Sequence, residues 1–281
     1  MMTFYRTDDQ VIHEESKLGD GIWVQMINPT HAECEEIAEK LMVDIDDVKA
    51  ALDVEESSRI ELQDGYTLIL VDIPTVEIRH EQRSYTTIPL GIILTQDVIV
   101  TICTEDTPVL QSFVRSRVKE FSTKKKLRFV YQILYRTAAN YQANLRIIDK
   151  RRTEIEERVG SDTDDSDLIN LHELESTLVY FATSLRANGV VLDRLTRYKR
   201  LEQYPEDKEL LDDVIVENRQ AIEMTTIYRD IPTVISGLYG MNVEEKWMPF
   251  ANTAHGFLII CILTLLICAI TMLFLRKKKM L

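Results

Sequence analysis

Hydrophobic positions along the chain change rhythm twice. Up to about residue 112 they come as short runs rich in β-branched residues, set apart by Asn, Asp and Gln-Asp punctuation. That is the pattern of strands joined by turns. Ile22-Trp23-Val24-Gln25-Met26, Gly65 to Pro74, Ser84 to Leu94 and Val98 to Cys103 read as strands, the second ending at its proline. Leu68-Ile69-Leu70-Val71 is continuous rather than alternating, so that strand is expected to be covered on both faces by helices. Two helices fit between the strands. Thr30 is an N-cap whose capping box is completed by Glu33, and Ile37, Ala38 and Leu41 keep helical spacing. Asp44 caps a second, short helix through Leu52.

From Thr107 the period lengthens. Leu134, Ala138, Tyr141, Leu145 and Ile148 alternate spacings of four and three, and the series runs on through Arg152, Ile155 and Val159. This is a heptad seam. Gly160 to Asp167 is a turn with several candidate N-caps. The seam resumes at Leu171, Leu174, Leu178, Phe181, Leu185, Leu192 and Leu195, with the polar Asn188 in the one missing place. A polar seam residue sets register or partner choice, or is a tolerated mismatch. Tyr204-Pro205-Glu206-Asp207 breaks the chain. Lys208 opens a third helix through Leu211, Val214, Asn218, Ala221, Thr225 and Tyr228. Three long helices with short turns make a coiled-coil-like bundle or stalk.

The last change is to no period at all. Phe257 to Leu275 is apolar without interruption, 19 residues with no charge and no proline, closed by Arg276-Lys277-Lys278-Lys279. About 20 apolar residues span a bilayer, and the cations that stop the run belong on the cytoplasmic side. The start of the chain, MMTFYRTDDQ, has neither a basic nor an apolar leader region, so the bulk is expected in the cytosol.

Composition narrows the function. A net charge of −13 argues against nucleic acid as a partner, because phosphates require a basic face. It suits divalent cations, although a solvated acidic surface is the commoner meaning of such a charge. Four cysteines without a Cys-x-x-Cys pair indicate neither zinc nor a disulfide framework. His13, His31 and His80 lack ligand spacing. Asp53, Glu55, Glu56 and Arg59 read as a surface ion-pair patch at a helix end. There is no glycine-rich nucleotide loop and no nucleophile elbow, so the chain does not read as an enzyme.

Tyr239-Gly240-Met241-Asn242, a short loop, one apolar span and a terminal lysine cluster together resemble the C-terminus of the CorA family of divalent-cation channels. Trp23, Pro29, Leu52-Asp53 with Glu55, Glu56, Ser58 and Arg59, Ile73-Pro74, Pro89 to Leu94 and Val98 to Ile102 resemble that family's cytoplasmic domain. The resemblance implies a homopentamer in the lipid bilayer of the cytoplasmic membrane, multi-pass, with both termini cytoplasmic. It implies Mg²⁺, and Co²⁺ or Ni²⁺ besides, as the transported ion, and no cofactor. Gly240, Met241 and Asn242 would form the outer mouth, where Asn242 meets the ion through its water shell. Thr233, Ser236 and Gly237 would line the pore. Asp213, with Asp212 beside it, resembles a regulatory Mg²⁺ site, and a solvated helix carboxylate is the alternative.

The parts expected are an α/β cytoplasmic head over 1–112 (a mixed sheet covered by helices), long helices over 113–230, and a helical membrane region. In that region a short first segment spans 231–243, an external loop 244–256, a membrane helix 257–275 and a basic tail 276–281. The segment 231–243 departs from the family. It has 13 residues with one proline and two glycines, shorter than a span, and Glu223, Arg229 and Asp230 stand just before it. Each charge drawn into the membrane centre would cost roughly 2.5–3.5 kcal/mol. Thr225 to Asp230 resembles the start of the family's stalk, and Ile231-Pro232-Thr233 the end of its first span. The stretch between is missing, and the helix ending at Asn242 is expected to begin before Ile231.

Overall fold

The structure, a computed structural model, describes residues 1–9, 11–79, 82–159, 165–200 and 204–239. Residues 1–229 form one compact unit, and 230–281 cluster separately.

Among the described residues seven strands form one mixed sheet. They are β1 (Met2–Asp8), β2 (Val11–Glu15), β3 (Trp23–Ile27), β4 (Arg59–Leu62), β5 (Thr67–Arg79), β6 (Gln82–Leu94) and β7 (Ile99–Cys103). The order is β2-β1-β3-β7-β6-β5-β4. Only β3 and β7 run parallel; the other neighbours are antiparallel. The covered strand expected from Leu68 to Val71 sorts by alternation, as strand geometry requires. Ile69, Val71 and Ile73 enter one apolar core, and Leu68 and Leu70 enter another on the opposite face.

The second of these cores lies under α1 (His31–Leu41), α2 (Ile45–Lys49) and a 3₁₀ turn at Ala50–Leu52. The capping box forms as expected. Thr30 N–H donates to Glu33 Oε2 at 2.8 Å, and Glu33 N–H donates to Thr30 Oγ1 at 3.3 Å. Asp44 caps α2 through Asp46 N–H at 2.9 Å. The 3₁₀ turn lies close against the sheet: a Cβ on Gly91 would stand 2.8 Å from Ala51 Cβ, so that position of β6 has no room for one.

The first core lies under α3 (Pro108–Val114), α4 (Lys126–Val159), α5 (Asp165–Leu195) and α6 (Pro205–Tyr239). At its centre Trp23 stacks edge-on against Phe113, Phe121 and Phe129, and its indole N–H donates to Thr101 Oγ1 at 2.8 Å. The heptad seam is buried as the spacing predicts: Tyr141, Leu145, Ile148, Phe181 and Leu185 are fully enclosed.

Four sequence expectations change. Strand β5 does not end at Pro74 but continues to Arg79. β4 pairs only Thr67 to Leu70, so beyond it β5 is an edge. Asp72 N–H, on the same side as the missing N–H of Pro74, points away from β6 and bonds a helix side chain, so the proline interrupts no ladder bond. Arg59 belongs to β4, not to a helix end, and there it pairs with Glu56 and Glu61. The third long helix starts at Pro205, three residues before Lys208, because proline suits the first helical position and the Asp207 carboxylate accepts the Tyr204 N–H at 3.3 Å. Strands β1, β2 and β4, with α3, have no counterpart among the expected elements.

Candidate functional site

The long helices carry two kinds of polar residue. Those in the seam are buried and bonded to backbone. Asn188 is 3 % exposed. Its Nδ2 donates to the Asp72 carbonyl at 2.8 Å, and its Oδ1 accepts the Asp72 N–H at 2.9 Å and the Ser58 hydroxyl at 3.0 Å. One side-chain amide thus satisfies both backbone groups of an edge residue, as a neighbouring strand would. Tyr141 also donates its hydroxyl to the Asp72 carbonyl at 3.1 Å. Asn218 Nδ2 donates to the Leu185 carbonyl at 3.0 Å, joining α6 to α5. Sequence spacing picked out Asn188; nothing in it named Asp72 and Ser58 as the partners, which lie more than a hundred residues away.

Arg152, also in the seam, is held by Asp149 at 3.1 Å and donates from Nη1 to the Tyr228 carbonyl at 2.5 Å. In an α-helix that carbonyl accepts from the residue four places on, which is Pro232 and has no N–H. Because α6 runs through both positions, Arg152 supplies the donor that the proline lacks.

Burial pushes the Asp72 carboxyl above the usual carboxylate range, with the hydroxyls of Ser184 and Ser58 opposing the shift. Each of those hydroxyls has a second acceptor, Thr87 Oγ1 at 3.2 Å and Asn188 Oδ1 at 3.0 Å, so neither is committed to the carboxylate. Cys34 and Cys103 are free, buried thiols, and burial raises both, to about 11 for Cys103, so neither is a ready nucleophile or soft-metal ligand.

The second kind of polar residue faces solvent. Asp212 and Asp213 are exposed on α6, with Glu209 and Glu223 also exposed on the same helix. Val214 between them is fully buried. Among the described residues no three His, Cys, Asp or Glu side chains gather as a metal-binding group within the chain. Thr233, Ser236 and Gly237 lie in the helical backbone of α6. Gly240, Met241, Asn242 and the apolar run Phe257 to Leu275 lie outside the described residues, as do His80 and Gly160 to Asp164. Among the described residues no helix is long and apolar enough to cross a membrane. Helix α6 runs from Pro205 through Asp230 and Ile231 to Tyr239; Asn242, where the expected helix ends, lies outside the described residues.

The profile of the CorA-like Mg²⁺ transporter protein family matches residues 19–231 and 230–277. The chain belongs to the CorA family. CorA proteins are ion transporters of the cell membrane, not enzymes; they need no cofactor, and Mg²⁺ is the ion they carry. The cobalt/magnesium transport protein CorA of Methanocaldococcus jannaschii is 25% identical over 311 residues, covering 96% of this chain and 93% of that one. The fold of the CorA magnesium transporter from the same organism matches with a TM-score of 0.71 at 22% identity, covering 98% of this chain and 97% of that one. The soluble domain of CorA from that organism matches at 0.73 with 24% identity, over 84% of this chain and 95% of the domain. The α/β head with its helices is therefore a CorA-type fold.

Proposed function

We propose that this chain transports Mg²⁺, and Co²⁺ or Ni²⁺ besides, across the cytoplasmic membrane as a homo-oligomer, a pentamer by family resemblance. In this reading 231–243 and 257–275 both cross, which leaves the head and the basic tail on the cytoplasmic side. Gly240-Met241-Asn242 forms the outer mouth. Mg²⁺ gives up its water reluctantly, so a ring of neutral amide and carbonyl oxygens can select it by its hydration shell. Thr233, Ser236 and Gly237 line the short pore segment. Asp212 and Asp213 bind cytosolic Mg²⁺ between neighbouring heads and hold the pore shut. The observation that carries the reading is that the family match continues to residue 277, taking in the mouth motif and the apolar run together with the head. Expression in a magnesium-auxotrophic strain tests it: growth at low Mg²⁺ that is lost on Asn242→Ala is expected.

A second reading has its own observation. The family match falls in two segments that meet at residues 230–231. The alignment with the Methanocaldococcus protein spans 311 positions, more than the 281 residues of the chain, so the relative has residues without a counterpart here. Both facts support the loss of the lower stalk and inner pore helix. They favour a non-conducting, membrane-anchored paralogue that still oligomerises through its head. No rescue by a chain that is demonstrably in the membrane and oligomeric would decide for this second reading.

A further inference from the structure

Charge is unevenly placed on the folded unit. From Arg115 to Arg128 the chain carries seven cations and one anion, Glu120, in a protein whose net charge is −13. Arg115, Arg117, Lys119, Lys124 and Lys125 are exposed and Lys126 is half-buried. Arg128 is neutralised by Glu120 and by Asp207. The other six form no ion pair among the described residues, and Lys125 lies over the Tyr204 ring at 5.3 Å.

The turn that carries these cations is anchored. Phe121 and Thr123 are buried. Thr123 and Thr7 exchange backbone-to-hydroxyl bonds in both directions, at 2.9 and 3.2 Å. Gln132 and Arg136 donate to the carbonyls of Lys119 and Arg117, each at 3.1 Å. A charged surface held in one shape loses little entropy on docking.

The opposite imbalance lies in residues 33–56, which hold ten carboxylates and two lysines. Glu35, Glu36, Glu39, Asp46, Asp53 and Glu55 are exposed there. This block covers one face of the sheet through α1, α2 and the 3₁₀ turn, whereas the basic turn leads into α4 on the other face. The two blocks thus belong to opposite faces of the sheet, and among the described residues no ion pair joins them within one chain.

We propose that the basic turn of residues 115–128 docks on the acidic α1–α2 surface of a second copy of this chain. Each copy then offers one surface of each sign, and the contact repeats head to tail. A heterologous contact of that kind closes into a ring when its rotation permits. Complementary charge sets the register and speeds encounter, and it weakens with added salt. This inference rests on the homo-oligomer reading above.

The test uses the full chain in detergent, with isotopically labelled and unlabelled copies mixed and joined by a carbodiimide, which links lysine amines to carboxylates. Inter-copy links from Lys124–Lys126 to residues 35–47 are expected, and their yield should fall as salt rises. The triple variant Lys124→Glu/Lys125→Glu/Lys126→Glu should lower inter-copy yield roughly tenfold. The triple variant Glu35→Lys/Glu36→Lys/Glu39→Lys should do the same, and mixing the two reversed chains should restore it. Unchanged thermal unfolding of each variant keeps the comparison clean. If the native chain sediments as an oligomer but shows no such inter-copy links, the docking surface is wrong and the homo-oligomer stands. If it sediments as a monomer, the homo-oligomer reading falls as well.

Discussion

Asn188 and Asp213 are both polar residues on long helices of the same unit, and their surroundings differ completely. Asn188 sits at a seam position, 3 % exposed, with every polar atom turned to strand β5 or to Ser58. Asp213 sits beside buried Val214 and faces solvent with its neighbour Asp212. The first completes the fold by replacing a missing strand neighbour. The second leaves its oxygens free for an ion or for a neighbouring copy. Polarity on a helix therefore says little until its face is known; the inward face holds docking groups, and only the outward face is left to bind.

The largest effect expected from that contrast is on Asn188. Asn188→Leu would leave the Asp72 N–H without a partner and crowd the seam, costing about 3 kcal/mol of stability. Thermal unfolding of the full chain would register it, and a change within about 0.5 kcal/mol would mean that the amide does not hold α5 to β5. Arg152→Met comes next. It removes a charged donor from the Tyr228 carbonyl, which Pro232 cannot serve, and should cost about 2 kcal/mol. Hydrogen exchange should also quicken in α6 around residue 228, whereas a purely packing role would leave that exchange unchanged.

Asp72 sharpens the comparison with a change of opposite sign. Its folded carboxyl is raised, so the folded state binds a proton more tightly than the unfolded one. Its favourable contribution is fully present below the unfolded value of about 4 and is lost as pH rises through the higher folded value. Asp72→Asn should therefore flatten the stability–pH curve above about pH 4. An unaltered slope would place the carboxyl in contact with water. The smallest effect on stability is predicted for Asp212→Asn/Asp213→Asn. Without Mg²⁺ the unfolding free energy should change by less than about 0.5 kcal/mol. Millimolar Mg²⁺ should protect the native head from proteolysis and protect this variant less. Equal digestion of both, with and without Mg²⁺, would remove these residues from regulation.

What the sequence reveals follows from the range of the forces involved. The capping box at Thr30 and Glu33 is local, and it was readable from four residues. The heptad seam repeats over many turns, so its buried positions were readable too. Strand β5 past Pro74 was not, because whether proline ends a strand depends on which neighbour its missing N–H would have faced. Asn188 was visible as an interruption, but its partners are fixed by tertiary packing against β5 and Ser58. The Arg152 bond to Tyr228 needs two helices and a proline placed in register, which no window along the chain contains. The basic turn and the acidic block are both plain in the sequence; only the fold shows that they lie on opposite faces of the sheet.

The most direct test of the transport claim is Mg²⁺ entry into liposomes that contain the purified full-length chain and a Mg²⁺-sensitive dye. Entry above that of protein-free vesicles is expected, suppressed when Mg²⁺ is present on the side of the head and abolished by Asn242→Ala. A chain that is inserted and oligomeric yet admits no Mg²⁺ would contradict it.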